Sequence, residues 1–133
     1  MILVDTSVWI RVLRDTVGNV VRTFRERVGE EICVFTRFTQ LELLQGAKDE
    51  HEWGRLEEYL STQYYLEATD STWREAARIY FELRRNGITL GSPIDACIAQ
   101  IAIESKALLL HQDEDFERIT TVRPLAAERF EIQ

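Results

Sequence analysis

Acidic residues stand in this sequence where apolar runs give way to polar ones. Asp5 follows Ile2-Leu3-Val4, Glu42 ends Thr39-Gln40-Leu41-Glu42, and Asp95 ends Ser92-Pro93-Ile94-Asp95. Asp113 and Asp115 follow Ala107-Leu108-Leu109-Leu110. No lysine or arginine lies beside these acids in the sequence, so carboxylates gathered from such separate stretches would repel one another strongly. A hard divalent cation, which takes oxygen ligands, removes that repulsion. The chemistry open to such a group is hydrolysis, because the cation lowers the pKa of water and neutralises charge building on a phosphate. Taken singly, each acid has a plainer explanation. Asp5 can cap a helix, Glu42 and Asp95 complete Thr-x-x-Glu and Ser-x-x-Asp boxes, and Asp113 and Asp115 suit a turn. What sets them apart is where the surrounding elements would put them.

Ile2–Val4 reads as a buried strand ending at a helix cap, Asp5-Thr6-Ser7. Trp9, Val12 and Leu13 then repeat at helical spacing. Val17, Val21, Phe24 and Val28 form a second amphipathic run that Gly29 closes. Ile32–Phe35 is a second buried strand. Thr39 is expected to open the next helix, with Leu41, Leu44 and Ala47 inward and Glu42 at its third position. Residues 52–60 are helical, Tyr64–Leu66 a strand, and Asp70 or Ser71 the cap of a long helix bearing Trp73, Ala76, Ala77, Tyr80 and Leu83. Asn86-Gly87 ends it. Ser92 caps the next helix, with Pro93 in its first turn and Asp95 at its third position. That helix is apolar on nearly every side and must be central. After the strand at 107–110 come an acidic loop at 111–115, a short helix, and an edge strand at 129–132. Solid apolar strands alternating with helices predict an α/β fold: a parallel sheet of four or five strands with helices on both faces. Without a linker or repeat, residues 1–133 read as a single domain. Ligands bind beyond the carboxyl ends of such strands, and if the sheet orders in the common doubly wound way, the regions that carry the acids all open toward that edge.

The chain is 45% hydrophobic and 29% charged, as expected of one soluble domain. It has no apolar run long enough to cross a bilayer, and its start lacks a signal peptide's pattern, so a cytoplasmic protein without membrane contact is expected. Cys33 and Cys97 sit in apolar runs and read as small buried thiols, with neither disulfide nor zinc spacing. A net charge of −7 argues against a general electrostatic grip on nucleic acid. The arginines are nevertheless grouped, at positions 11, 14, 22, 25 and 27 and again at 74, 78, 84 and 85. A basic rim around an acidic pocket is therefore permitted, although solvated helix faces account for most of them. Trp9, Trp73 and Tyr80 read as core, while Trp53, Tyr59, Tyr64 and Tyr65 could join them in lining an apolar groove.

Four segments, in order and spread over almost the whole chain, carry a family resemblance. They are Ile2–Ile10 around Asp5, Thr39–Ala47 around Glu42, Gly87–Ala99 around Asp95, and Leu109–Phe116 around Asp113. Together they resemble the motifs of PIN domains and, within that group, of the VapC toxins of prokaryotic toxin–antitoxin pairs. The resemblance implies a Rossmann-like single domain and a Mg²⁺- or Mn²⁺-dependent endoribonuclease. It also implies a cognate VapB-type antitoxin that blocks the site, a homodimer, and an RNA substrate such as tRNA or another structured RNA. Carried over, Asp5, Glu42, Asp95 and Asp113 are the catalytic and metal-holding quartet, with Asp5 and Asp95 as direct ligands. Glu42 and Asp113 bind directly, take a second ion, or position water. Ser7 matches a small polar residue that holds Asp5 or a bound water, and Asp115 could share or replace the role of Asp113. No side chain is an obvious general base; His111 reads as a surface histidine at a strand end. The alternatives are a PIN-like module that binds RNA or protein without cutting, and a housekeeping RNA-processing nuclease. A phospho-acceptor signalling domain would need an aspartate ending the middle strand and a lysine near the last, and neither Phe35-Thr36 nor Tyr64–Leu66 supplies one.

Overall fold

In the computed structural model, which describes residues 1–132, the short apolar runs line up as one sheet. Its strands are β1 (Ile2–Val4), β2 (Cys33–Phe35), β3 (Tyr64–Tyr65), β4 (Leu108–His111) and β5 (Ala127–Arg129). Their order is β3-β2-β1-β4-β5, and every pairing is parallel. The connections are helical: α1 (Thr6–Leu13), α2 (Asn19–Val28), α3 (Arg37–Gln45), α4 (Glu50–Ser61), α5 (Asp70–Arg85), α6 (Pro93–Ser105) and α7 (Glu114–Ile119).

Such short strands hold because their side chains alternate between two apolar layers. Ile2, Val4, Phe35 and Leu110 face a cluster with Trp9, Phe24, Leu43 and Leu60 from the helices α1 to α4. Leu3, Val34 and Leu109 face the other cluster, with Ile79, Leu83, Ala99 and Phe116 from α5, α6 and α7. Each such burial stabilises the fold by about 1.5–3 kcal/mol. Leu3 stands opposite Val34 on one side and Leu109 on the other, so the middle of the sheet is apolar throughout. As its composition requires, α6 is central: Ala96, Ile98, Ala99, Ile101 and Ala102 are all buried. No helix among the described residues is long and apolar enough to cross a membrane.

Chain order reverses between β1 and β4, so a crevice opens beyond their carboxyl ends. The Asp5 N–H donates to Leu110 O at 2.9 Å, closing the seam up to that edge. Helices α1, α3 and α7 follow β1, β2 and β4 directly, and α6 precedes β4. All four therefore direct their N-termini, with their partial positive charge, at the same edge.

Several expectations are corrected at element ends. Helix α3 starts earlier than Thr39: Thr36, fully buried and extended, caps it by accepting from the Thr39 N–H. Glu42 thus lies well inside the helix rather than at its third position, Leu41 is 57% exposed, and Leu43 turns inward. Thr69 caps α5 in a reciprocal box with Thr72, displacing Asp70 and Ser71 from that role. Trp73 is 55% exposed, edge-on to Phe38, because Ala76, Ile79 and Leu83 fill the inward face. Val17 lies exposed in the turn before α2, where Val20 takes the buried position. The last strand lies at Ala127–Arg129 rather than 129–132, paired with Leu109–His111. Cys33 and Cys97 are free but only half-buried.

Candidate active site

Asp5 is the N-cap of α1, and its Oδ2 accepts from the Ser7 N–H at 3.0 Å and the Ser7 hydroxyl at 2.6 Å. Ser7 Oγ in turn accepts from the Gln112 N–H at 3.0 Å, joining the β1–α1 turn to the loop after β4. Burial raises the Asp5 pKa, the Ser7 hydrogen bonds oppose that rise, and the charge of Asp113 adds to it. The Thr6 hydroxyl, buried beside it, shares its proton between Thr39 Oγ1 at 2.9 Å and Glu42 Oε1 at 3.1 Å. This contact brings α3 to α1 and sets Glu42 next to Asp5. Glu42 is half-buried; burial raises its pKa, Thr6 lowers it, and the Asp5 charge raises it again.

Asp95 stands in the first turn of α6 behind the Ser92 cap, which accepts from the Ile94 N–H at 3.1 Å. Carboxylate oxygens of Asp95, Asp113 and Asp115 lie within 4.8 Å of one another. Burial pushes the Asp95 pKa up to about 8, helped by a hydrogen bond with Asp115 and by the charges of Asp113 and Asp5. Asp113 caps α7, with its Oδ1 accepting from the Asp115 N–H at 2.9 Å.

Asp115 is held differently. Its Oδ2 accepts from the Gly91 N–H at 2.8 Å and its Oδ1 from Arg118 at 2.7 Å. Burial works to raise its pKa, but Gly91, Asp95 and Arg118 together outweigh that and leave it lowered. At Asp5, Glu42 and Asp113, by contrast, one oxygen is tied down. The second, Asp5 Oδ1, Glu42 Oε2 or Asp113 Oδ2, carries no hydrogen bond from the described residues. Carboxylates fixed by one oxygen and open at the other are suited to hold a cation or a water.

Asp95, Asp113 and Asp115 are therefore brought into one close group, while Asp5, with Ser7, and Glu42 stand at the same edge outside it, near enough for the charges of Asp113 and Asp5 to act on them. One expectation fails here. His111 belongs to β4 and is 1% exposed, not a surface residue; its ring packs on Phe116, and its Nδ1 accepts from the Asp113 N–H at 3.2 Å. Burial lowers its pKa. No lysine or arginine adjoins the acids in sequence, yet the fold supplies a cation, since Arg118 reaches Asp115 from one helical turn on. Thr6, Thr39, Gly91 and Arg118 support the site without a site role predicted from the sequence, although an i,i+3 Asp–Arg spacing is a signal for the last.

Beside Glu42 runs an open groove of about 800 Å³. Trp9, Val12, Leu13 and Tyr59 give it apolar walls, and Arg14, Arg25, Lys48 and Arg55 line it with positive charge. Trp53, Trp73, Tyr64, Tyr65 and Tyr80 do not line it.

Comparison with known proteins agrees with this architecture. The chain is 34% identical to ribonuclease VapC11 of Mycobacterium tuberculosis over 133 residues, covering 98% of this chain and 99% of that protein. Ribonuclease VapC51 of the same organism is 33% identical over 120 residues, covering 90% and 85%. Among solved structures, VapBC-1 from nontypeable Haemophilus influenzae superposes with a TM-score of 0.80 at 23% identity, covering 98% of each chain. The DNA-bound VapBC2 of Rickettsia felis gives 0.78 at 20% identity, covering 98% of this chain and 100% of that one. The PIN domain family matches residues 2–122. With the five-stranded parallel sheet, its reversal of strand order at β1 and β4, and acids gathered at that point, the chain belongs to the PIN domain family.

Proposed function

We propose that this protein is a Mg²⁺- or Mn²⁺-dependent endoribonuclease and the toxin of a type II, VapBC-type toxin–antitoxin pair. One observation carries the reading: acids from four separate stretches converge on one sheet edge, and three of them have oxygens within 4.8 Å of one another. The donor set is oxygen only, which is what these cations take. Ligands around an octahedral ion of that size stand about 3 to 4.2 Å apart, a spacing that Asp95 and Asp113 approach within this group while Asp115 braces it. Relatives named ribonucleases, at 34% and 33% identity along most of the chain, favour RNA as substrate.

When bound, the cation supplies a lowered pKa for water and positive charge opposite the phosphate. The chain's own residues then have distinct tasks. Asp5 and Asp95 hold the ion directly, and Ser7 keeps Asp5 aimed. Glu42 and Asp113 complete the set with their open oxygens, as ligands or by orienting the attacking water. Asp113 is the fourth acid, because both oxygens of Asp115 are already engaged. His111 is not the general base, since its ring is buried and its Nδ1 is taken. The cations lining the groove next to Glu42 give an RNA backbone a favourable approach despite the net charge of −7.

The complexes named among the structural relatives favour a VapB-type antitoxin as partner. A segment of it lying in the groove walled by Trp9 and Tyr59 would cover Glu42. The toxin acts in the cytoplasm as a homodimer in this reading. Purified protein is expected to cut RNA with Mg²⁺ or Mn²⁺ and to stop with chelator. Growth arrest on expression, relieved by the product of a small adjacent reading frame, tests the toxin role. Cleavage without arrest points to housekeeping RNA processing, and RNA binding without cleavage to a non-cutting module.

A further inference from the structure

We propose that Arg118 is a positioning residue and the resident counter-ion of the acidic site, acting through Asp115. The inference rests on the reading of the site as a cation site and goes beyond it by giving a task to a residue outside the acidic set.

Among the described residues, Arg118 is the one cation in ion-pair contact with any of the five acids. It lies one turn along α7 from Asp115, donates to Asp115 Oδ1 at 2.7 Å, and reaches Glu114 at 3.1 Å with its other nitrogen. The far side of Asp115 is equally committed. Its Oδ2 takes the Gly91 N–H at 2.8 Å, and a Cβ on residue 91 would stand 3.3 Å from that oxygen. Gly91 does not adopt a positive φ, so glycine serves close approach here rather than an unusual backbone shape. The result is a chain of contacts from α7 through Arg118 and Asp115 to the turn that leads, by way of Ser92, to Asp95. It fixes the start of α6 against the start of α7, which sets the spacing of Asp95 from Asp113.

Charge explains why an arginine closes this chain. Asp115 must stay ionised to accept both donors, yet it lies within 4.8 Å of Asp95 and Asp113. A guanidinium on its outer side offsets that charge without entering the site, because Arg118 is 43% exposed and pairs with no other of the five acids. Arg118 thereby lets the acids stand together before a cation arrives. It also opposes cation binding once the acids are assembled.

That opposition supplies a test which loss of structure cannot imitate. Mn²⁺ affinity is measured by titration calorimetry on full-length wild type, Arg118→Gln and Arg118→Lys, with thermal unfolding in chelator and in saturating Mn²⁺. Arg118→Gln keeps a donor for Asp115 but loses the charge, so it is expected to bind Mn²⁺ about tenfold more tightly. Its melting temperature should fall in chelator and recover most of the loss in Mn²⁺. Arg118→Lys should return both quantities to near wild type. Equal destabilisation with and without Mn²⁺, or affinity unchanged or weakened in Arg118→Gln, overturns the proposal. Unchanged Mn²⁺ binding with weakened RNA binding also overturns it, in favour of a substrate contact. Absence of Mn²⁺ binding by the wild type overturns the cation reading of the site itself, and this inference with it.

Discussion

The two halves of the acidic edge are held by different forces. Asp5 and Glu42, between α1 and α3, are fixed by neutral donors alone: the hydroxyl and N–H of Ser7 on the first, the hydroxyl of Thr6 with Thr39 behind it on the second. Asp95, Asp113 and Asp115, between α6 and α7, are fixed by backbone N–H groups, a shared hydrogen bond and the Arg118 guanidinium. A hydroxyl held in a buried contact depends on geometry and is little affected by salt. An ion pair with a partly exposed arginine depends on charge and is screened. One half is therefore set by packing and the other by balance of charge. Ser7 joins them, because its hydroxyl donates to Asp5 while accepting from Gln112.

The largest effect should come from removing a proposed cation ligand in either half. Asp5→Asn and Asp95→Asn are each expected to lower RNA cleavage by about 1000-fold or more with the fold intact by circular dichroism. Undiminished cleavage in both variants would remove the mechanism. Next is Ser7→Ala, which leaves both Asp5 and the Gln112 N–H short of a partner; a loss of roughly 10- to 100-fold in activity is expected. A Ser7→Ala enzyme at wild-type rate would show that the halves need no link. Thr6→Val should cost about tenfold through Glu42 alone and stay insensitive to ionic strength. If its defect grew with salt, the hydroxyl-held description of that half would be wrong. Gly91→Ala presses on Asp115 Oδ2 and is expected to cost a few-fold in activity and about 1 kcal/mol in stability, read by kinetics and thermal melts.

The smallest effect is on stability against pH. Asp5, Glu42 and Asp95 all have raised pKa values in the folded protein, Asp95 to about 8. Between the ordinary carboxylate range and about pH 8, the folded chain holds protons that the unfolded chain has released. Stability in chelator should therefore fall as pH rises from about 6.5 to 8, whereas below about pH 6.5 the lowered pKa of buried His111 works in the opposite direction. Saturating Mn²⁺ should flatten the slope by replacing those protons. A melting temperature in chelator that climbs from about pH 6.5 to 8 would contradict the raised value of Asp95.

Much of the fold was open to reading from the residues alone, because each element carried its own signal. Ile2–Val4 and the stretch 108–110 are solid apolar strands, Ser92-Pro93 announces a helix, and the uniformly apolar α6 could only be central. The acids were legible for the same reason, since Asp5, Asp95 and Asp113 sit at element ends that local patterns mark. Errors gathered where two patterns competed. Thr36 and Thr39 both suit a cap, and the choice fell to Thr36 because β2 delivers it, buried and extended, to the sheet edge. Trp73 has the composition of a core residue but is left outside by the smaller Ala76 and Ile79.

Local order in the chain decided the period of each element, the position of its caps and the number of acids at the sheet edge, because these depend on neighbours a few residues apart. Only the packed molecule decided that Thr6 meets Glu42 across 36 positions, that Gly91 holds Asp115 across 24, and that His111 is buried. Those contacts join residues brought together by the strand order β2-β1-β4. Sheet order is set by which apolar faces cover one another, a property of the whole chain and of no single segment.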